Sequence, residues 1–149
     1  MEEVTKNADL ADRLVRRRAR VLPVLGLFIL IQQFAYFANA NSGGDRLIDH
    51  IRRGEWVVMS LMVLAMLTTG GSWFRSAKVR AMIEDESARA NRAKALSTGF
   101  LCAMLTAIAC YVMRGAWEFS VGVVIHLIVS AGLVSALLRF SLLERRDLA

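Results

Sequence analysis

His126 is the one histidine inside a long apolar stretch of this chain, and it is the side chain there most able to do chemistry. It lies eight residues past Glu118, which is about 12 Å along a helix. A shared haem or metal site would require His50, the other histidine, to fold inward from a polar connection. We therefore expect no cofactor and interpret His126 as a partner in an interhelical hydrogen bond, with Gln32 or Gln33 opposite it. A pH-sensing role would use the same burial.

Other catalytic or metal-binding groups are missing from the apolar stretches, which contain no carboxylate. This argues against proton-coupled exporters of the small multidrug resistance type, which need an acidic residue in the first of four spans. Cys102 and Cys110 are eight residues apart on one predicted helix, about 12 Å, whereas a disulfide needs Cα atoms within about 7 Å. We interpret both as small packing residues, since apolar surroundings keep a thiol protonated. The sequence predicts a non-enzymatic protein without catalytic or metal-binding residues.

Four windows without Asp, Glu, Lys or Arg organise the chain, and each is 19 or 20 residues long. They are residues 21–40, 56–74, 95–113 and 119–138. At about 1.5 Å per residue, each window spans the roughly 30 Å hydrocarbon core of a bilayer. The sequence predicts one all-α integral membrane domain over residues 1–149, with four transmembrane helices in two hairpins. The apolar run after the basic start is longer than that of a signal peptide, so we expect it to stay as an anchor.

The basic residues set the orientation. Fifteen of the 19 Lys and Arg fall before residue 21, in the connector 75–94 or after residue 138. Because Lys and Arg mark the cytoplasmic side, both termini are predicted to be cytoplasmic. Residues 1–20 can form an amphipathic surface helix or a frayed tail, and the sequence does not distinguish between these two conformations. In the first outer loop, Leu47, Ile48 and Ile51 share one face, which predicts a short interfacial helix.

Small side chains form a smooth face on each of the last two windows. Lipid gives no hydrophobic drive between helices, so association depends on close packing of such faces. Packing within one chain and a homodimer both satisfy this pattern. The residues predicted to carry the packing are Gly99, Ala103, Thr106, Gly132 and Ala136.

An acidic run flanked by arginines lies in the connector. One interpretation is a solvated helix face, and the other is a docking point for a basic cytosolic protein, chosen by charge complementarity. The candidate partner-binding residues are Arg80, Glu84, Asp85, Glu86, Arg89 and Arg92.

The segment IEDESARANRAKALSTGFLCAMLTAIACYVM at 83–113 and the ending LRFSLLERR at 138–146 resemble uncharacterised small four-span inner-membrane proteins of alphaproteobacteria. In that group an acidic cluster precedes the third span and a Leu-Glu-Arg-Arg tail follows the fourth. Such proteins are often encoded beside small helix-turn-helix regulators. The resemblance implies a bacterial inner-membrane regulator or adaptor that holds a transcription factor at its cytoplasmic face. Because the basic residues cluster at the predicted cytoplasmic ends of the spans, the net charge of +6 is mostly a membrane signature, and we expect no direct binding to nucleic acid. The alternatives are an accessory subunit of a larger membrane complex and a small solute transporter.

Overall fold

The computed structural model describes residues 2–39, 46–70, 86–114 and 120–147. These ranges form four helices, and no strand occurs in them, which confirms the predicted all-α fold class. The helices are α1 (Glu2–Asn39), α2 (Arg46–Thr69), α3 (Glu86–Met113) and α4 (Val121–Asp147).

α1, α3 and α4 continue beyond the charge-free windows into the segments predicted to be cytoplasmic. α1 includes the basic stretch before residue 21, α3 begins inside the predicted connector, and α4 runs through the predicted tail. These extensions contain neither glycine nor proline, so nothing in them opposes a helix. The N-terminal stretch, for which two conformations were open, is helical and continuous with the first window.

The structure differs from the prediction for residues 46–55, part of the predicted first outer loop. Residues from Arg46 onward are helical, but they belong to one uninterrupted helix that ends at Thr69. The prediction of a separate short interfacial helix was therefore wrong. The helix continues through this stretch because its one glycine, Gly54, costs a helix only about 1 kcal/mol and does not break it. Gly70 follows the helix with a φ of 71°, a left-handed conformation that commonly ends helices.

Neighbouring helices in the chain run in opposite directions. Tyr36, near the end of α1, contacts His126, near the start of α4. At the other end of the bundle, Asn91 in the second turn of α3 bonds Asp147, the last residue of α4. α4 lies at the centre, packed extensively against α3 and α1, whereas α2 touches α4 and α3 only lightly. We call the end where α1 and α3 begin the basic end.

The core draws apolar residues from all four helices, among them Ile29, Val63, Ala95 and Leu137. The bundle exterior is also apolar, and Phe34 is 76% exposed. Large apolar side chains outside and polar ones inside suit lipid rather than water as the surrounding medium.

Three of the described helical segments are long and apolar enough to cross a membrane: Arg20–Ala38, Glu86–Met113 and Val121–Asp147. They indicate a membrane protein. α2 does not qualify within the described residues because its first three turns are charged, and residues 71–74 of the predicted second window lie outside the described residues.

Candidate functional site

Six polar or aromatic side chains, four of them buried and two half-buried, gather where α1, α2 and α4 meet, toward the end opposite the basic end. Each of these helices contributes two side chains spaced three or four residues apart, which places both on one helix face. We call this group the polar junction. Its members are Gln33, Tyr36, Trp56, Ser60, His126 and Ser130.

The outer layer of the polar junction is a three-ring stack. The His126 ring lies between Tyr36 and Trp56, with centroid distances of 4.0 Å and 3.9 Å and interplanar angles of 8° and 27°. His126 is only 6% exposed. Stacked ring pairs contribute about 0.5–1.5 kcal/mol beyond the area they bury. The stack therefore joins α1 and α2 to α4 through a single imidazole.

The second layer lies one helical turn nearer the basic end. Here the Ser130 hydroxyl donates to Gln33 Oε1 over 2.8 Å, and both residues are buried. The predicted hydrogen bond between His126 and a glutamine was wrong. Gln33 is level with Ser130, while the position on α1 that faces His126 is occupied by the Tyr36 ring.

Several polar atoms of this region have no hydrogen-bond partner among the described residues. In the polar junction they are His126 Nδ1, Gln33 Nε2, Ser60 Oγ and Trp56 Nε1, and Gln32 Oε1 on α1 is a further one. A buried donor or acceptor without a partner costs about 1–3 kcal/mol. The polar junction therefore keeps hydrogen-bonding capacity that its own side chains do not use.

The chemistry available to the polar junction follows from its composition. His126 and Tyr36 are its only ionisable members, and the other four side chains are neutral. The described part of the chain has no group of three or more His, Cys, Asp and Glu side chains that could hold a metal. The arrangement can exchange a proton at His126 and can hydrogen-bond a small polar species.

A second group of polar contacts joins the helices at the basic end. Asn91 Nδ2 donates to Asp147 Oδ2 over 2.5 Å, and Arg92 Nη1 donates to the Thr68 carbonyl over 3.1 Å. Glu144 is only 3% exposed, although it belongs to the predicted tail. α4 keeps its helix through residue 147 and buries one face of this segment against the bundle, so only part of it is exposed.

The predicted partner-binding residues fall into three groups. Arg80, Glu84 and Asp85 lie outside the described residues. Glu86 and Arg89 are exposed in the first turns of α3, where a partner can reach them. Arg92 is half-buried and turned toward the end of α2, so it links two helices of the bundle.

The predicted packing residues meet at the contact between α3 and α4. A Cβ added at Gly99 would lie 2.6 Å from the Gly132 carbonyl oxygen and 2.8 Å from Ala136 Cβ, and one at Gly132 would lie 3.2 Å from Ala103 Cβ. The helices approach this closely only because both positions lack side chains. Thr106 instead donates to the Cys102 carbonyl of its own helix over 2.8 Å.

The sequence reasoning missed several members of these sites. Tyr36, Trp56, Ser60 and Ser130 were not among the residues predicted to carry function or packing. The spacing along α4 could have indicated His126 and Ser130 as interior residues. Residues 126, 133 and 140 are seven apart, as are residues 130 and 137, and all five are buried. That spacing marks the interior face of α4.

No protein-family model, curated protein or solved structure matches this chain.

Proposed function

We propose that this protein is a four-span protein of the bacterial inner membrane with both termini in the cytoplasm. Two features support the proposal. The helices alternate in direction, which brings the start of α1, the end of α2, the start of α3 and the end of α4 to the basic end. Fifteen of the 19 Lys and Arg fall before residue 21, in residues 75–94 or after residue 138. A basic excess identifies the cytoplasmic side.

Within this topology, we propose that the protein is a non-enzymatic regulator or adaptor that holds a soluble protein at its cytoplasmic face. The observation that carries the proposal is the helical extension of the basic end. α1 starts at Glu2, 19 residues before the first charge-free window, so it reaches about 28 Å beyond that window. α3 and α4 extend the same end by nine residues each, about 13 Å. Extended polar helices of this kind provide a surface for a partner.

The charges on these extensions define the partner's chemistry. Arg13, Arg16 and Arg17 of α1 and Arg89 of α3 are exposed, and Glu86 is exposed beside Arg89. A mixed surface of this kind gives specificity by matching opposite charges and rejecting like ones. The resemblance to small four-span proteins adds a candidate partner, a helix-turn-helix transcription factor.

A capture experiment with a charge-reversal variant tests the adaptor role. The tagged full-length chain is cross-linked in native membranes, extracted in detergent and compared with the variant Glu84→Lys/Asp85→Lys/Glu86→Lys. The control is Glu55→Lys, an exposed position on α2 near the opposite end. We expect one soluble protein to be recovered with the parent chain and the control, and lost with the triple variant.

Two outcomes would contradict the adaptor role. One is equal recovery of the same proteins with all three chains, and the other is recovery of no soluble protein. Stable migration with a large membrane assembly on a native gel would favour the accessory-subunit alternative. Solute flux into liposomes would favour the transporter. Topology is tested separately, with reporters fused after Gly43, Arg80 and Ala149; only the first is expected outside the cytoplasm.

A further inference from the structure

The stacked imidazole of the polar junction has a free edge and two covered faces. Tyr36 and Trp56 occupy the faces of the His126 ring at 4.0 Å and 3.9 Å. At the edge, Nδ1 is buried and has no hydrogen-bond partner among the described residues. We propose that His126 is a proton-binding site and that its protonation weakens the contact between α2 and α4.

The geometry favours a proton over a larger ligand. Ring faces covered on both sides leave only the nitrogen atoms at the edge of the imidazole for binding. Histidine is the side chain that ordinarily changes charge between about pH 5 and 8. A proton satisfies both conditions, because it binds at a ring nitrogen and occupies no space over the ring faces.

Among the described residues, no carboxylate contacts the His126 ring. On α1 the side chain in contact is Tyr36, which is not a carboxylate. On α2 the charged residues nearest Trp56 are Arg52, Arg53 and Glu55, all exposed. On α4 no charged residue lies between Val121 and Leu138, and no described α3 side chain stacks on the ring. A protonated His126 would therefore have to draw in water.

α2 is the helix that such a change would move. α1 and α3 pack along the length of α4, whereas α2 touches α4 and α3 only lightly. Near the polar junction, the ring contact of Trp56 with His126 holds α2 in place. At the basic end, Arg92 holds the Thr68 carbonyl. Hydration of the stack would release the first of these attachments and leave the second, so α2 would pivot about its basic end.

Nitrogen NMR on the unmodified chain measures proton binding directly. The full-length protein, labelled with ¹⁵N-histidine in lipid bilayers, gives imidazole signals from His50 and His126 only. The variant His50→Gln assigns them. We expect the His126 signal to change from the neutral to the doubly protonated pattern as the pH falls from about 8 to 5. A His126 signal that stays neutral throughout would overturn the proposal.

Tryptophan fluorescence measures the effect on α2. The variant Trp73→Phe/Trp117→Phe leaves Trp56 as the only indole. We expect its emission to shift to longer wavelength as the pH falls, because the indole gains water contact. The shift should be lost when His126→Gln is added and kept when His50→Gln is added. Two results would refute the coupling to α2 even if His126 titrates. One is no emission shift in the variant that keeps only Trp56, and the other is an equal shift after His126→Gln is added to it.

Discussion

The substitution Gly99→Ala tests whether α3 and α4 depend on direct backbone contact. The added Cβ would lie 2.6 Å from the Gly132 carbonyl oxygen and 2.8 Å from Ala136 Cβ. Non-bonded carbon atoms are most stable at about 3.5–4.0 Å, so each contact falls short by roughly 1 Å. Neither neighbouring atom is at the end of a flexible side chain. The helices themselves must therefore separate.

The expected cost follows from that displacement. A gap of about 0.5–1 Å forfeits a quarter to a half of the dispersion attraction between facing atoms. Overpacked interiors lose about 1–3 kcal/mol, and the rigid neighbours at Gly99 favour the upper part of that range. Alanine recovers up to about 1 kcal/mol through its better helix propensity. We expect Gly99→Ala to lower the free energy of unfolding by about 2 kcal/mol.

The assay is unfolding in mixed micelles, with SDS as denaturant and far-ultraviolet circular dichroism as the signal. Gly54→Ala is the matched control, since no atom lies within 4 Å of an added Cβ there, and we expect it to be neutral or slightly stabilising. Gly132→Ala, whose nearest contacts would be 3.2 Å and 3.3 Å, should fall between the two. If Gly99→Ala unfolds at the same SDS fraction as Gly54→Ala, the close-approach reasoning is wrong.

The same assay checks two hydrogen bonds. Ser130→Ala removes the donor to buried Gln33 Oε1 and should cost about 0.6–1.7 kcal/mol, as such bonds do in membranes. Its control, Ser60→Ala, deletes a hydroxyl without a partner among the described residues and should cost less; equal losses would show that the serines act only through packing. Asn91→Ala should cost about 1 kcal/mol by breaking the bond to Asp147, and an unchanged unfolding curve would exclude that contribution.

Much of the fold follows from local sequence. Charge-free windows of bilayer length predict helices, and the four described helices cover most of each window. The small-residue pattern identified Gly99 and Gly132 before their contact was visible, because a smooth face is a property of one helix alone. The helix that begins at Glu86, inside the connector, was equally predictable, since residues 86–94 contain neither glycine nor proline.

The polar junction could not be predicted from local sequence. The sequence marked His126 as unusual but offered Gln32 and Gln33 as its partners. The structure gives it Tyr36 and Trp56, from two other helices. Which rings meet depends on the relative rotation and vertical register of three helices, and the sequence of one helix carries no record of either. The burial of Glu144 was missed for the same reason, because a helix end that looks solvated can still face its neighbours.

The amino-acid sequence by itself determined that the chain is helical, that its helices are apolar enough for lipid, and where their charged ends lie. These properties depend only on residues that are close together in the chain, and they follow from the rise per residue of a helix and the thickness of a bilayer. Tertiary structure alone decided that α4 is central, that α2 is loosely attached, and that one imidazole joins three helices. Those outcomes depend on packing between distant segments, where many arrangements satisfy the same local pattern.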